Sequence, residues 1–303
     1  GKKYKKCHML REQQKPYSIG KILNLQHKVF WKKRGCMHPL ASPEVCRGKV
    51  IDSHTIQRKG PLERITDKTN HVMHFEASST DGGVTLAPIG WKKASIFPGF
   101  CSFHDSTLFD PIEKGSFTGK HEHCVLHAFR NICNEYYRKT ALVESLEFQR
   151  TCLDRGFNLD RQISTQNSCI KSIAGQIKSI DEMSNIRNKF EAAMAQGNYD
   201  EFESKCYFFK GSLDVVSSSV FQCEYDFLGN KLIDMWDLSL DADMLSHTTV
   251  NTDDGGAIIF VWLKGAKDAN TVIDSFDNLP DDEKCDIFIQ YCFINFENTF
   301  FSE

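Results

Sequence analysis

Residues 99–113, GFCSFHDSTLFDPIE, place Cys101 and His104 three positions apart, directly before a run that should open a helix at Asp105 and that Pro111 shortens. A Cys-x-x-His pair at the head of a helix offers two of the four ligands that zinc takes tetrahedrally from Cys and His. The other half of such a set stands at residues 35–46, GCMHPLASPEVC, as Cys36 and Cys46, with His38 as the substitute for Cys36. Two ligand pairs from distant parts of a chain can replace a hydrophobic core in a small module. The fold is therefore expected to be organised around residues 36–113, with structural Zn²⁺ on Cys36, Cys46, Cys101 and His104. The plainer alternative is buried thiols beside a surface histidine. Between the two pairs, residues 51–59 read IDSHTIQRK, an extended run that ends at His54.

Working outward, the basic residues are concentrated before this stretch. Residues 1–70 carry 17 Lys+Arg against 5 Asp+Glu, although the whole chain is at −3. The segment 1–34 alone has 11 Lys+Arg and one Glu, interleaved with Tyr4, Tyr17, Phe30 and Trp31. Such a stretch suits a polyanion, with nucleic acid first and DNA ahead of RNA. The plainer readings are a solvated arm, one that neutralises the chain's own acidic C-terminal part, or one that its aromatics anchor to the domain. Within it, residues 18–33 carry apolar positions at helical spacing, which predicts a short amphipathic helix.

After His54, residues 61–68 predict a short helix starting near Pro61. Residues 71–90 predict a hairpin with its turn at Asp81, Gly82 and Gly83. From about 118 to 203 the spacing becomes helical: Val125, Leu126, Phe129, Ile132, Cys133, Tyr136 and Tyr137 form a core-facing stripe, and a second helix covers about 163–195. Their simplest arrangement is antiparallel. After Lys205 five β-branched or aromatic runs, at 206–211, 214–227, 231–240, 244–252 and 257–265, predict an antiparallel meander, followed by a helical pair to the chain end. The last stretch is very apolar and should pack on the sheet. The acidic residues of this part, Asp226, Asp234, Asp237, Asp241 and Asp243, read as strand edges and turns rather than as a carboxylate dyad.

The predicted class is α+β: a zinc-stapled treble-clef or ββα module, a helical middle segment and a C-terminal antiparallel β-meander with terminal helices. The expected division is a basic arm 1–35, the zinc module 36–117, a helical segment 118–203 and a β-rich domain 204–303. Twelve scattered cysteines do not form a disulfide framework pattern. No apolar run approaches the roughly 20 residues that span a bilayer, and no signal-peptide core follows the basic start, so a cytoplasmic location is expected. No Walker loop, Gly-x-Gly-x-x-Gly or Gly-x-Ser-x-Gly occurs, which removes ATPase, dinucleotide-enzyme and hydrolase-elbow readings. His123 and His127 share a helix face at four-residue spacing and form either a second metal pair or part of a packed helix start.

The two ligand pairs with His54 between them resemble the zinc-bearing branch of HNH endonucleases, the ββα-metal family with a treble-clef core. That family has a Cys pair, an Asp-His on a strand, an Asn, and a Cys-x-x-Cys whose next residue opens the helix and holds a catalytic metal. By position, Ser53-His54 takes the Asp-His slot, Cys101 and His104 the second zinc pair, and Asp105 the metal-ligand slot. The likeness covers about 80 residues. Ser53 departs from the family's Asp, and no Asn precedes Cys101.

The resemblance implies a metal-dependent endonuclease of the kind used in restriction or antiviral phage defence. His54 would be the general base, and Asp105, with Asp52 or His74, would hold Mg²⁺ or Mn²⁺. Arg58, Lys59, Lys92 and Lys93 would clamp the nucleic-acid backbone. Two rivals stay open: a non-catalytic zinc-stapled nucleic-acid-binding protein, and an interaction subunit whose acidic C-terminal part meets a protein partner.

Overall fold

The computed structural model describes residues 10–77 and 83–303. Tyr4, Cys7, and the hairpin turn expected at Asp81 and Gly82 lie outside the described residues. After a short helical turn at Arg11–Gln13 comes α1 (Ile19–Phe30), opened by the Ser18 side chain, which accepts from the Lys21 amide at 3.3 Å. A ligand loop leads to β1 (Val50–His54), an irregular turn at Arg58–Leu62, the hairpin β2 (His71–Ala77) and β3 (Val84–Gly90), and then β4 (Ile96–Cys101). Two short helices follow, α2 (Ser102–Leu108) and α3 (Asp110–Glu113), separated ahead of Pro111 as its fixed φ demands. The long helices are α4 (His121–Gln149) and α5 (Leu159–Gln196). The C-terminal third contains β5 (Phe202–Lys210), β6 (Val215–Gln222), β7 (Met244–Asn251), β8 (Gly255–Leu263), α6 (Lys267–Asp277), α7 (Lys284–Asn295) and β9 (Thr299–Phe301).

Two antiparallel sheets result, one of β1 and β4 and one of seven strands in the order β3-β2-β9-β6-β7-β8-β5. The large sheet is not the sequential meander expected. β5 pairs along its whole length with β8, from Phe202 opposite Leu263 to Lys210 opposite Gly255. The hairpin β2–β3 joins the sheet through β9, which lies between β2 and β6. The apolar chain end thus enters the sheet as a strand, after the two predicted helices.

The run 231–240, expected as a strand, forms turns. Asp234 Oδ1 accepts from the Trp236 amide and Asp237 Oδ1 from the Ser239 amide, and Trp236 is 89% exposed. Local side-chain acceptors outcompete the ladder there.

Alternation along β8 shows how the large sheet is covered. Ala257, Ile259 and Val261 face a core built with α4 and α5, while Ile258, Phe260 and Trp262 face a second core built with α6 and α7. With both faces covered, the strand reads as a continuous apolar run rather than an alternating one. The helices α4 and α5 run antiparallel: Phe129 near the start of α4 meets Phe190 near the end of α5 at 6.1 Å, and Gln166 near the start of α5 reaches the Arg150 carbonyl at 2.7 Å.

Phe97, Phe100, Phe109 and Ile112 belong to the same core as α4, so the ligand-bearing module rests on that helix. The described part of the basic segment is also docked. Arg11 pairs with Asp154 at 2.6 Å, both buried, and Arg34 pairs with Glu144 at 3.0 Å. No helix among the described residues is long and apolar enough to cross a membrane. The described cysteines are free thiols.

Candidate metal centre

Cys36 enters after Gly35, and its loop is pinned to β4 by the Met37 amide, which donates to the Gly99 carbonyl at 2.8 Å. A turn from Ser42 brings Cys46 back, with the Cys46 amide on the Ser42 carbonyl at 2.9 Å. At Gly48 (φ +79°) an added Cβ would lie 2.5 Å from Ser102 Oγ, so the return passes the head of α2 at a distance only glycine permits. Cys101 ends β4 and His104 lies in the first turn of α2. The Cys101 amide donates to Cys36 Sγ at 3.3 Å, which ties the two halves together.

The four side chains converge on one point. His104 Nδ1 lies 3.3 Å from Cys36 Sγ, 3.6 Å from Cys46 Sγ and 3.3 Å from Cys101 Sγ, and all four donor atoms fall within 4.8 Å of one another. Tetrahedral zinc, with Zn–S of about 2.3 Å and Zn–N of about 2.0–2.1 Å, puts sulfur and nitrogen about 3.6 Å apart. The donor set and spacing therefore fit a zinc-type ion. Burial holds His104 below its ordinary pKa, in the neutral form that ligates, and pushes the Cys36 thiol up to about 11. A dication there would displace the thiol protons and balance the thiolates that ligate it. His38 gives no donor to this group: its ring stacks on His104 at 3.9 Å and 4°.

The remaining predicted residues divide clearly. His54 ends β1 opposite Ile96 of β4, and its ring hydrogen-bonds the Lys92 backbone. His54 Nε2 is buried with no protein partner, and so is Asp105 Oδ1 on α2, which packs on β1. Burial, with the charges of Arg58 and Arg130, lowers the His54 pKa to about 4. Arg58, Lys59, Lys92 and Lys93 are exposed on the two turns that flank His54. Asp52 is exposed at an irregularity in the β1–β4 pairing, and Ser53 is buried. His74 lies on β2, paired with Phe300 of β9, in the other sheet. His123 and His127 gather no third donor; among the described residues the Cys₃His group is the one cluster able to hold a metal.

Sequence reading missed Arg130 and its partner Glu113. Arg130 is 1% exposed and donates to Glu113 Oε1 at 2.6 Å. A lone arginine inside the apolar stripe of HCVLHAFRNIC was the available signal.

Taken together, this is a mixed α/β protein with antiparallel sheets and a Cys₃His centre positioned to bind metal. No family model, no curated protein and no solved structure matches the chain.

Proposed function

We propose that the chain is a metal-dependent endonuclease of the ββα-metal type, its treble clef formed by the ligand loop, β1, β4 and α2. The observation that carries this reading is the pair of orphaned polar atoms, His54 Nε2 on β1 and Asp105 Oδ1 on α2, both buried without a protein partner. Buried polar atoms without partners are rare in native proteins and mark sites where a ligand or ion completes the arrangement.

With one ring nitrogen bonded to the Lys92 backbone, His54 keeps Nε2 free to take a proton from water, and at pH 7 the ring is neutral. Asp105 would provide the protein oxygen for Mg²⁺ or Mn²⁺, ions that often bind through one or two carboxylates plus substrate phosphates. Such an ion, when bound, stabilises charge on the attacked phosphate. Arg58, Lys59, Lys92 and Lys93 hold the polyanion across the mouth, and zinc fixes the angle between strand pair and helix.

The test is nicking of plasmid DNA, and in parallel of RNA, with Mg²⁺ or Mn²⁺ added to wild type and His54→Ala. Loss of at least ~100-fold is expected for removal of a general base; equal nicking by the two proteins excludes the role of His54. A second reading, a zinc-stapled nucleic-acid-binding module without catalysis, is favoured by Ser53 in place of a carboxylate. Under it, both proteins bind nucleic acid with the same salt dependence and neither cuts. The acidic C-terminal third remains a proposed protein-binding face, tested by co-purification.

A further inference from the structure

Arg130 lies within α4 and is 1% exposed. Its Nη2 donates to Glu113, but Nε and Nη1 are buried with no acceptor among the described residues. Arginine stays charged in proteins, so a cation with two unused donors sits inside the fold. The Phe109 ring covers one face of the guanidinium at 3.8 Å and leaves those N–H groups without an acceptor. Glu113 is 39% exposed, so the cation lies one side chain beneath the surface.

The neighbours are of one kind. His127, one turn earlier on α4, is 4% exposed and has Nδ1 without a partner. His54 Nε2 is equally unpartnered, and the charge of Arg130 acts on both histidines. Arg58 is a second cation acting on His54, seated over Trp91 at 5.8 Å. Gln57 holds the Glu113 backbone carbonyl at 2.8 Å, which joins the turn carrying Arg58 to the end of α3. Arg130 thus has Glu113 as its ion-pair partner and the two neutral imidazoles as neighbours, with Arg58 acting on the same His54.

We propose that Arg130 is the floor of a phosphate-binding site, with Arg58 at its rim, which seats the phosphate of a phosphodiester beside His54. This deepens the nuclease reading and rests on it for the identity of the substrate. A planar guanidinium presents two hydrogen-bond forks, Nε with Nη2 and Nη1 with Nη2, each matching two phosphate oxygens. Glu113 sits on Nη2, the nitrogen common to both forks, and so acts as an internal anion that an entering phosphate displaces. A phosphate there also offsets the positive charges that depress His54, which makes that ring a better base.

The test titrates inorganic phosphate into the zinc-loaded full chain at constant ionic strength, read by calorimetry. Glu113→Gln removes the competing anion and should tighten phosphate about tenfold, the scale of a charge-assisted pair. Arg130→Met should abolish binding while zinc content and far-UV circular dichroism stay unchanged. Arg130→Lys, which keeps the charge and loses the fork, should weaken it by a similar factor. Phosphate binding no tighter in Glu113→Gln than in wild type overturns the site, and decides the matter if Arg130→Met fails to fold. Phosphate binding that follows this order in a chain that never nicks nucleic acid supports the seat and sinks the nuclease reading. Nicking by Arg130→Lys with unchanged KM leaves the nuclease and overturns the seat.

Discussion

Acidification from pH 7 to pH 5 should destabilise the protein through its histidines buried neutral, of which His247 and His127 are shifted furthest. His247 is fully buried on β7; its Nε2 meets Ser217 Oγ at 2.9 Å, its Nδ1 has no partner, and Phe288 and Phe296 flank the ring. Burial lowers its pKa from 6.5 to about 3. His127 is lowered to about 3 as well, by burial first and then by the charges of Arg130 and His123. The folded pKa lies below the unfolded one, so between them the unfolded chain binds more protons. Stability is therefore full above pH 6.5 and drains as pH falls towards 3. At about 1.4 kcal/mol per unit, each ring costs about 2 kcal/mol by pH 5, and the pair about 4 kcal/mol, against a typical total of about 5–15 kcal/mol. The assay is urea unfolding at pH 7.0, 6.0 and 5.0 in excess zinc, on wild type and His247→Gln. The variant should start lower at pH 7 and lose about 2 kcal/mol less than wild type between pH 7 and pH 5, the rest of the slope staying with His127 and His54. A flat wild-type profile, or an unchanged slope in the variant, would refute the neutral burial of these rings.

Further outcomes follow from other parts of the fold. Stability should rise by about 1.4 kcal/mol for each decade of free zinc above the dissociation constant, and Cys101→Ser should abolish that rise; equal zinc dependence in the two proteins would count against the ligand set. Because the module packs on α4 through Phe97, Phe100 and Phe109, chelation should open residues 36–49 and 101–109 to hydrogen exchange while α4 and α5 stay protected. Phe300, 5% exposed on the strand that joins β2 to β6, should cost about 3–5 kcal/mol as Phe300→Ala in urea unfolding; a loss under 1 kcal/mol would show that β9 is not structural. Arg11→Met strands the buried Asp154 carboxylate and should cost about 3–5 kcal/mol, with Asp154→Asn restoring part of it; an Arg11→Met chain as stable as wild type would contradict the docking of this segment.

The metal centre was legible because ligand chemistry is carried by residue type and spacing: the Cys101–His104 pair at a helix head pointed to it, and the four expected donors converge in space. The long helices were legible from apolar spacing, with α4 and α5 starting within a few residues of their predicted positions. Strand order was not, because nothing local states that β5 pairs with β8 rather than with its neighbour β6. The run 231–240 misled because Leu, Ile and Trp resemble a strand, while Asp234 and Asp237 close turns through their own side chains. Arg130 was hidden for a related reason: its partner Glu113 lies on another helix, and neither residue signals the pair locally. The basic start left docking and solvation open, because a run of Lys and Arg does not name its partners; Arg11, Lys32 and Arg34 pair with acids of α4 and the loop after it.

The zinc K-edge absorption spectrum of the purified full chain, with metal stoichiometry on the same sample, reaches the organising element most directly. About one zinc per chain, surrounded by three sulfurs near 2.3 Å and one nitrogen near 2.0–2.1 Å, is the expected result. A shell of oxygen and nitrogen alone, or a folded chain that holds no zinc, would contradict it and remove the staple that sets β1, β4 and α2 around His54.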